Sequence, residues 1–269
     1  MNLIQAIILG LVQGVTEYIP VSSSAHLVLV PWLLGWQDAS FEFEVLVQWG
    51  TLVGVIIYFW RDLWDIVREV LLGLWRRKPL ATFEARLGWY IVLATLPAVV
   101  FGLALKESFE TAYSSPVAVA ALLLGTAAIL TVAEYFGQRA RELANITWLD
   151  ALVIGFWQVA ALLPGVSRSG ATISGGILRG LDRPSAARFS FLMSIPPMLG
   201  AGVLAIKDLL EAGQVGAQMP AITVGFVAAA ISGYACIRWL MGYLQRGRLY
   251  GFAIYCAVVG VGCLAKAML

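Results

Sequence analysis

A carboxylate, a run of hydroxyls and an imidazole lie within ten residues of one another near the N-terminus, in Gln13-Gly-Val-Thr-Glu17-Tyr-Ile-Pro20-Val-Ser-Ser-Ser-Ala-His26. Such groups can move protons and form or break bonds to an electrophile. Here they sit inside apolar sequence, where a polar group is expensive and is a functional candidate by default. Pro20 ends one helical stretch, and Ser22-Ser23-Ser24 can cap the next. At helical spacing Ser22 and Ser23 share a face with His26, the only histidine in the chain, and Gln13 shares one with Glu17. For Ser22 and Ser24 taken alone, capping is the better reading.

A related string begins 145 residues after Gly10: Gly155-Phe-Trp-Gln158-Val-Ala-Ala-Leu-Leu-Pro164-Gly-Val-Ser-Arg-Ser-Gly170. Both strings are an apolar helix with Gln three residues after Gly, then Pro, then a hydroxyl-rich turn. In the second, Pro164-Gly165 frees the chain and Ser167-Arg168-Ser169 opens a new helix. Exposed N–H groups at a helix N-terminus favour anions, and an arginine fork with three hydroxyls (Ser167, Ser169, Thr172) stands beside them. If the strings face each other, two half-helix N-termini and Arg168 converge on a site suited to a phosphate group.

The elements that must position these groups are membrane helices. Sixty per cent of the residues are hydrophobic, 13% are charged and the mean hydropathy is +0.84, outside the range of soluble globular domains. A start of Met1-Asn-Leu-Ile-Gln has no basic n-region, so no removable signal segment is expected. Six stretches read as ordinary spans: 43–60, 87–105, 116–135, 185–206, 221–240 and 250–269. Two more, 3–36 and 148–180, break at their polar clusters and read as re-entrant pairs. The expected fold is an all-α polytopic membrane protein with six transmembrane helices and two re-entrant pairs. It forms one domain over 1–269, an inverted repeat of halves 1–136 and 148–269.

Charge placement supports this topology. Putting 61–86 on the cytoplasmic side places 137–147, 179–188 and 238–248 there too, with fourteen of the eighteen Lys and Arg. Lys106, Lys207 and Lys266 fall on the other side, and Arg168 lies in the second broken pair. Trp residues near span ends suggest an interfacial belt, and Arg76-Arg77-Lys78 suits anionic lipid. Glu134 reads as structural. Cys236, Cys256 and Cys263 have no metal or CxxC spacing and read as small buried hydrophobes.

The strings Gln13–Glu17, Pro20–His26 and Pro164–Thr172, with the length and segment order of the whole chain, resemble the undecaprenyl-diphosphate phosphatase family associated with bacitracin resistance. The resemblance implies a bacterial inner-membrane hydrolase with its site opening to the periplasmic side. It would convert a C55 prenyl diphosphate to the monophosphate and recycle the lipid carrier for peptidoglycan. By motif position it points to Glu17, Ser23, His26, Ser167, Arg168 and Thr172. Gln13 stands where many members have Glu, which weakens a metal role there, and Ala25 stands where Gly often precedes the histidine.

On that basis Arg168 is expected to neutralise the transferred phosphate, with Ser22, Ser167, Ser169 and Thr172 binding its oxygens. Ser23 would be the nucleophile and His26 its base, with Glu17 orienting the imidazole or holding a divalent cation, Mg2+ or Ca2+. Attack by His26 itself or by a metal-bound water stays open. The expected partners are the prenyl diphosphate and membrane lipids; no nucleic acid is expected, and a homodimer is left open. The alternative function is a transporter or flippase of a phosphorylated lipid, which needs the anion cradle but no nucleophile.

Overall fold

The computed structural model describes residues 1–104, 115–211 and 215–269. Among them are eleven α-helices and no strand: α1 Leu3–Tyr18, α2 Ser23–Leu34, α3 Phe41–Tyr58, α4 Trp60–Trp75, α5 Phe83–Ala104, α6 Pro116–Phe136, α7 Trp148–Ala160, α8 Arg168–Leu178, α9 Arg183–Glu211, α10 Val215–Leu244 and α11 Tyr250–Ala267. Five are long and apolar enough to cross a membrane, namely α5, α6, α9, α10 and α11, and the bent pair α3–α4 makes a sixth candidate. The chain is therefore an all-α polytopic membrane protein. Lys106 lies outside the described residues.

Local signals explain the two breaks. Asn2 and Gln5 form a capping box that starts α1, and Ile19, pushed to extended geometry by Pro20, ends it. Thr147 and Asp150 do the same at the start of α7, and Gly165 turns the chain at φ +102° before Ser167 caps α8. At 1.5 Å per residue these four helices run only about 16–24 Å, short of the ~30 Å hydrocarbon core. Each must therefore end within the protein interior, where its polar terminus needs a partner.

One element goes beyond the expected spans. The expected span 43–60 is a candidate only together with α4, which starts at Trp60, is bent 79° from α3 and runs into residues 61–86, read from sequence only as a basic connection. Trp60, Trp64, Val67, Leu71 and Leu74 recur every three or four residues and form its exposed stripe. Ile66 and Val70 press against Gly88 of α5, and Arg61, Asp65 and Arg68 take the remaining face. One packed face, one exposed apolar face and one charged face are the pattern of a helix suited to a membrane interface.

Backbone contact sets the core. A Cβ on Gly10 of α1 would stand 2.3 Å from the Gly225 carbonyl oxygen of α10, and one on Gly155 of α7 would stand 2.5 Å from the Ala94 carbonyl oxygen of α5. Gly10→Val and Gly155→Val are each expected to cost about 1–3 kcal/mol through overpacking. A lowered unfolding midpoint in detergent checks this; an unchanged midpoint contradicts the close approach.

Buried carboxylates tie one end of the bundle. Glu134 accepts from Arg139 (2.7 Å), Arg183 and the Leu249 N–H, and Asp150 accepts from Arg141 and Arg179, both at 2.8 Å. Asp62 pairs with Arg188. These are the segments that the charge pattern put on one side, and Glu134 has the structural role expected of it. Cys256 and Cys263 are buried in the cluster formed by α2, α6 and α11.

Candidate active site

The two breaks touch each other. The Gly165 N–H donates to Ser24 Oγ (3.4 Å), and Ser169 Oγ donates to the Ile19 carbonyl (3.3 Å). Ser24 and Ser169 hold equivalent positions of the two related strings, 145 residues apart, so each reaches into the other's turn. Thr126 of α6 holds the second break from behind: its hydroxyl donates to the Gly165 carbonyl and accepts from the Ser167 N–H, both at 2.9 Å. Both half-helices thus start at one place, each with first-turn N–H groups that have no partner within the helix.

Glu17 lies at the centre. Its Oε2 accepts from Gln13 Nε2 (2.7 Å) and Ser23 Oγ (2.6 Å). Its Oε1 accepts from the Arg168 guanidinium, with Gln48 Nε2 at 3.5 Å. The side chain is 3% exposed, against 21% for Arg168, so the carboxylate is deep and the guanidinium reaches it from a more open side. Burying a carboxylate this deeply is costly unless donors such as these meet its oxygens. Arg168 Nη2 also lies 3.1 Å from Met198 Sδ, and the Trp49 indole holds the Met198 carbonyl at 2.7 Å.

The remaining candidates divide into holders and reactive groups. Ser22 caps α2 by accepting from the Ala25 N–H at 3.3 Å, and it does so at φ +69°, a strained backbone for a residue with a side chain. Ser167 caps α8 by accepting from the Gly170 N–H (3.0 Å) and shares a 3.1 Å hydroxyl contact with Ser169. Thr172 is fully buried, bonded to the Arg168 carbonyl (2.8 Å) and to Ser190 Oγ (2.6 Å). It therefore fixes the first turn of α8 rather than presenting a free hydroxyl.

The imidazole goes elsewhere. His26 Nδ1 lies 2.8 Å from the Ser22 carbonyl and Nε2 lies 2.8 Å from the Tyr255 hydroxyl. The hydroxyl of Ser23, expected to bond His26, bonds Glu17 instead. Sequence reasoning did not select Gln48, Tyr255, Thr126 or Ser190. Gln48 carried the same signal as Gln13, a polar side chain amid apolar residues of a span.

A divalent cation can be tested against this donor set. Among the described residues no three His, Cys, Asp or Glu side chains gather as a cage. The partners of Glu17 are amide and guanidinium N–H groups and one hydroxyl, so a hard cation there would rest on that one carboxylate together with substrate phosphates, the usual mode of Mg2+.

Fold and site define a polytopic α-helical membrane protein with a carboxylate–hydroxyl–guanidinium centre where two broken helix pairs meet. The family described as bacitracin resistance protein BacA matches residues 6–262, and the chain belongs to it. It is similar to the undecaprenyl-diphosphatase of Chlorobaculum tepidum, 45% identical over 98% of this chain and 96% of that protein. That of Chlorobaculum parvum is 46% identical over the same shares, and that of Myxococcus xanthus is 44% identical over 97% and 88%.

Proposed function

We propose that this protein is an undecaprenyl-diphosphate phosphatase. It hydrolyses the C55 prenyl diphosphate to prenyl phosphate and inorganic phosphate, recycling the lipid carrier of peptidoglycan synthesis and conferring bacitracin resistance. The observation that carries the chemistry is the Ser23 hydroxyl, aligned on a buried carboxylate that also holds an arginine. A transporter of phosphorylated lipid would use the arginine and the helix N-termini but has no need of that hydroxyl.

The terminal phosphate binds between the N-termini of α2 and α8, where Arg168 uses the N–H groups not committed to Glu17 and first-turn backbone N–H groups take further oxygens. Ser23 Oγ attacks the terminal phosphorus and gives its proton to Glu17 Oε2, while the bond to the bridging oxygen breaks and prenyl phosphate leaves with that electron pair. Arg168 offsets charge on the equatorial oxygens as it spreads. The departing prenyl phosphate takes that proton from Glu17; water then attacks the phosphoserine and gives a proton to Glu17, which returns it to Ser23 Oγ as the serine–phosphorus bond breaks and inorganic phosphate departs. Ser22, Ser167, Ser169 and Thr172 hold the two turns in place for this. Mg2+ or Ca2+ held by Glu17 and Gln13 with the diphosphate would supply further charge neutralisation.

The related strings, the crossed Ser24 and Ser169 contacts, and the matching packing of α1 on α10 and α7 on α5 support an inverted repeat of halves 1–136 and 148–269. The basic, ion-paired end is assigned to the cytoplasm of a bacterial inner membrane, so the first broken pair opens to the periplasmic side. The test is phosphate release from the C55 diphosphate by purified protein in detergent with Mg2+ or Ca2+. Turnover is expected; none from folded protein would overturn the assignment.

A further inference from the structure

The bonds of the His26 ring lead away from the reacting groups. A carbonyl only accepts, so Nδ1, 2.8 Å from the Ser22 oxygen, carries the hydrogen; in the neutral ring Nε2 then accepts from the Tyr255 hydroxyl. Tyr255 belongs to α11, 229 residues from His26 in sequence, and the two rings lie within 9° of parallel. The other end of this chain of bonds is the one strained residue of the first break. Ser22, at φ +69° and ψ 95°, gives its carbonyl to the Nδ1–H and also to the His26 backbone N–H at 3.3 Å. Ser23, bonded to Glu17, is the next residue.

We propose that Tyr255 is a positioning residue for Ser23: its hydroxyl donates to Nε2 of the Nδ1–H tautomer that the Ser22 carbonyl selects and so holds the ring in place, and that ring braces the strained Ser22 carbonyl so that the first residue of α2 presents its hydroxyl to the phosphorus. Its catalytic consequence rests on the phosphatase reading, but the tautomer does not. A hydrogen bond that selects one tautomer is the means by which proteins orient an imidazole. Strain at Ser22 persists only when its surroundings over-determine it. The relay supplies that constraint from a different helix.

With a single histidine in the chain, 15N-labelled imidazole gives one assignable ring by magnetic resonance, provided the affinity tag contains no histidine. The parent is expected to carry the hydrogen on Nδ1 without substrate. In Tyr255→Phe the hydrogen is expected to stay on Nδ1 while the Nε2 15N shift moves to that of a nitrogen without its donor, and kcat to fall about tenfold, the value of one hydrogen bond, with KM within about twofold. Phe keeps the ring at a position that is 44% exposed, so no cavity opens. His26→Asn, whose amide can reach the Ser22 carbonyl as Nδ1 does, is expected to stay within about tenfold of the parent, while His26→Ala falls about a hundredfold. Hydrogen on Nε2 in the parent, a Tyr255→Phe protein unchanged in Nε2 shift and kcat, or an Asn variant as inactive as Ala would each overturn the proposal. A parent with the Nδ1–H ring but no phosphate release counts against the phosphatase reading alone.

Discussion

Ser23→Ala is expected to lower phosphate release by on the order of ten-thousandfold while leaving the protein folded. The alanine keeps the start of α2, because the cap is Ser22, and Glu17 retains Gln13, Gln48 and Arg168 as donors. What disappears is the one hydroxyl that lies 2.6 Å from the buried carboxylate. Rapid acid quench of the parent with substrate labelled on its terminal phosphate is expected to trap an acid-stable phosphoserine, absent from the variant. An acid-labile adduct would move the nucleophile to His26. A variant within about tenfold of the parent would mean that water attacks directly, with Glu17 as its base.

Much of this was legible because membrane sequence is a quiet background. Gln13, Glu17, Arg168 and their hydroxyls stand out where almost everything else is apolar, and Pro20 and Pro164-Gly165 announce the breaks by simple backbone sterics. The relation between the strings suggested that the two breaks could face each other, and the crossed contacts of Ser24 and Ser169 have that geometry. Pairings across helices were a different matter. Helical spacing put Ser23 and His26 on one face, but it cannot say which way a ring turns, and the ring turned to a tyrosine on the last helix. Gln48 bore the right signal in a span that otherwise read as ordinary. The helix α4 was hidden by its charges: arginines that mark a cytoplasmic loop also mark the water face of an interfacial helix, and only the stripe from Trp60 to Leu74 separates the two.

The Glu17–Arg168 pair links stability to chemistry in a way that single variants cannot separate. Arg168→Ala is expected to lower kcat/KM by on the order of a thousandfold, because no other cation of the described site is placed to meet phosphate oxygens. It also leaves Glu17, 3% exposed, with its charge uncompensated, an effect on the order of 3 kcal/mol. Arg168→Lys keeps the charge but loses the planar fork that can hold Glu17 and a phosphate together, so an intermediate loss of about a hundredfold is expected. Glu17→Gln removes the proton acceptor at nearly constant shape and is expected to be about as inactive as Arg168→Ala. The double variant separates the two roles. If the pair is a preformed charge balance, Glu17→Gln in the Arg168→Ala background should restore the unfolding midpoint while activity stays lost. Stability losses that add would instead mean that each side chain is held by its other neighbours, and that the site does not depend on the pair for its shape. A restored midpoint with lost turnover fits the mechanism, in which substrate phosphate takes up arginine N–H groups while the carboxylate is left to receive the serine proton.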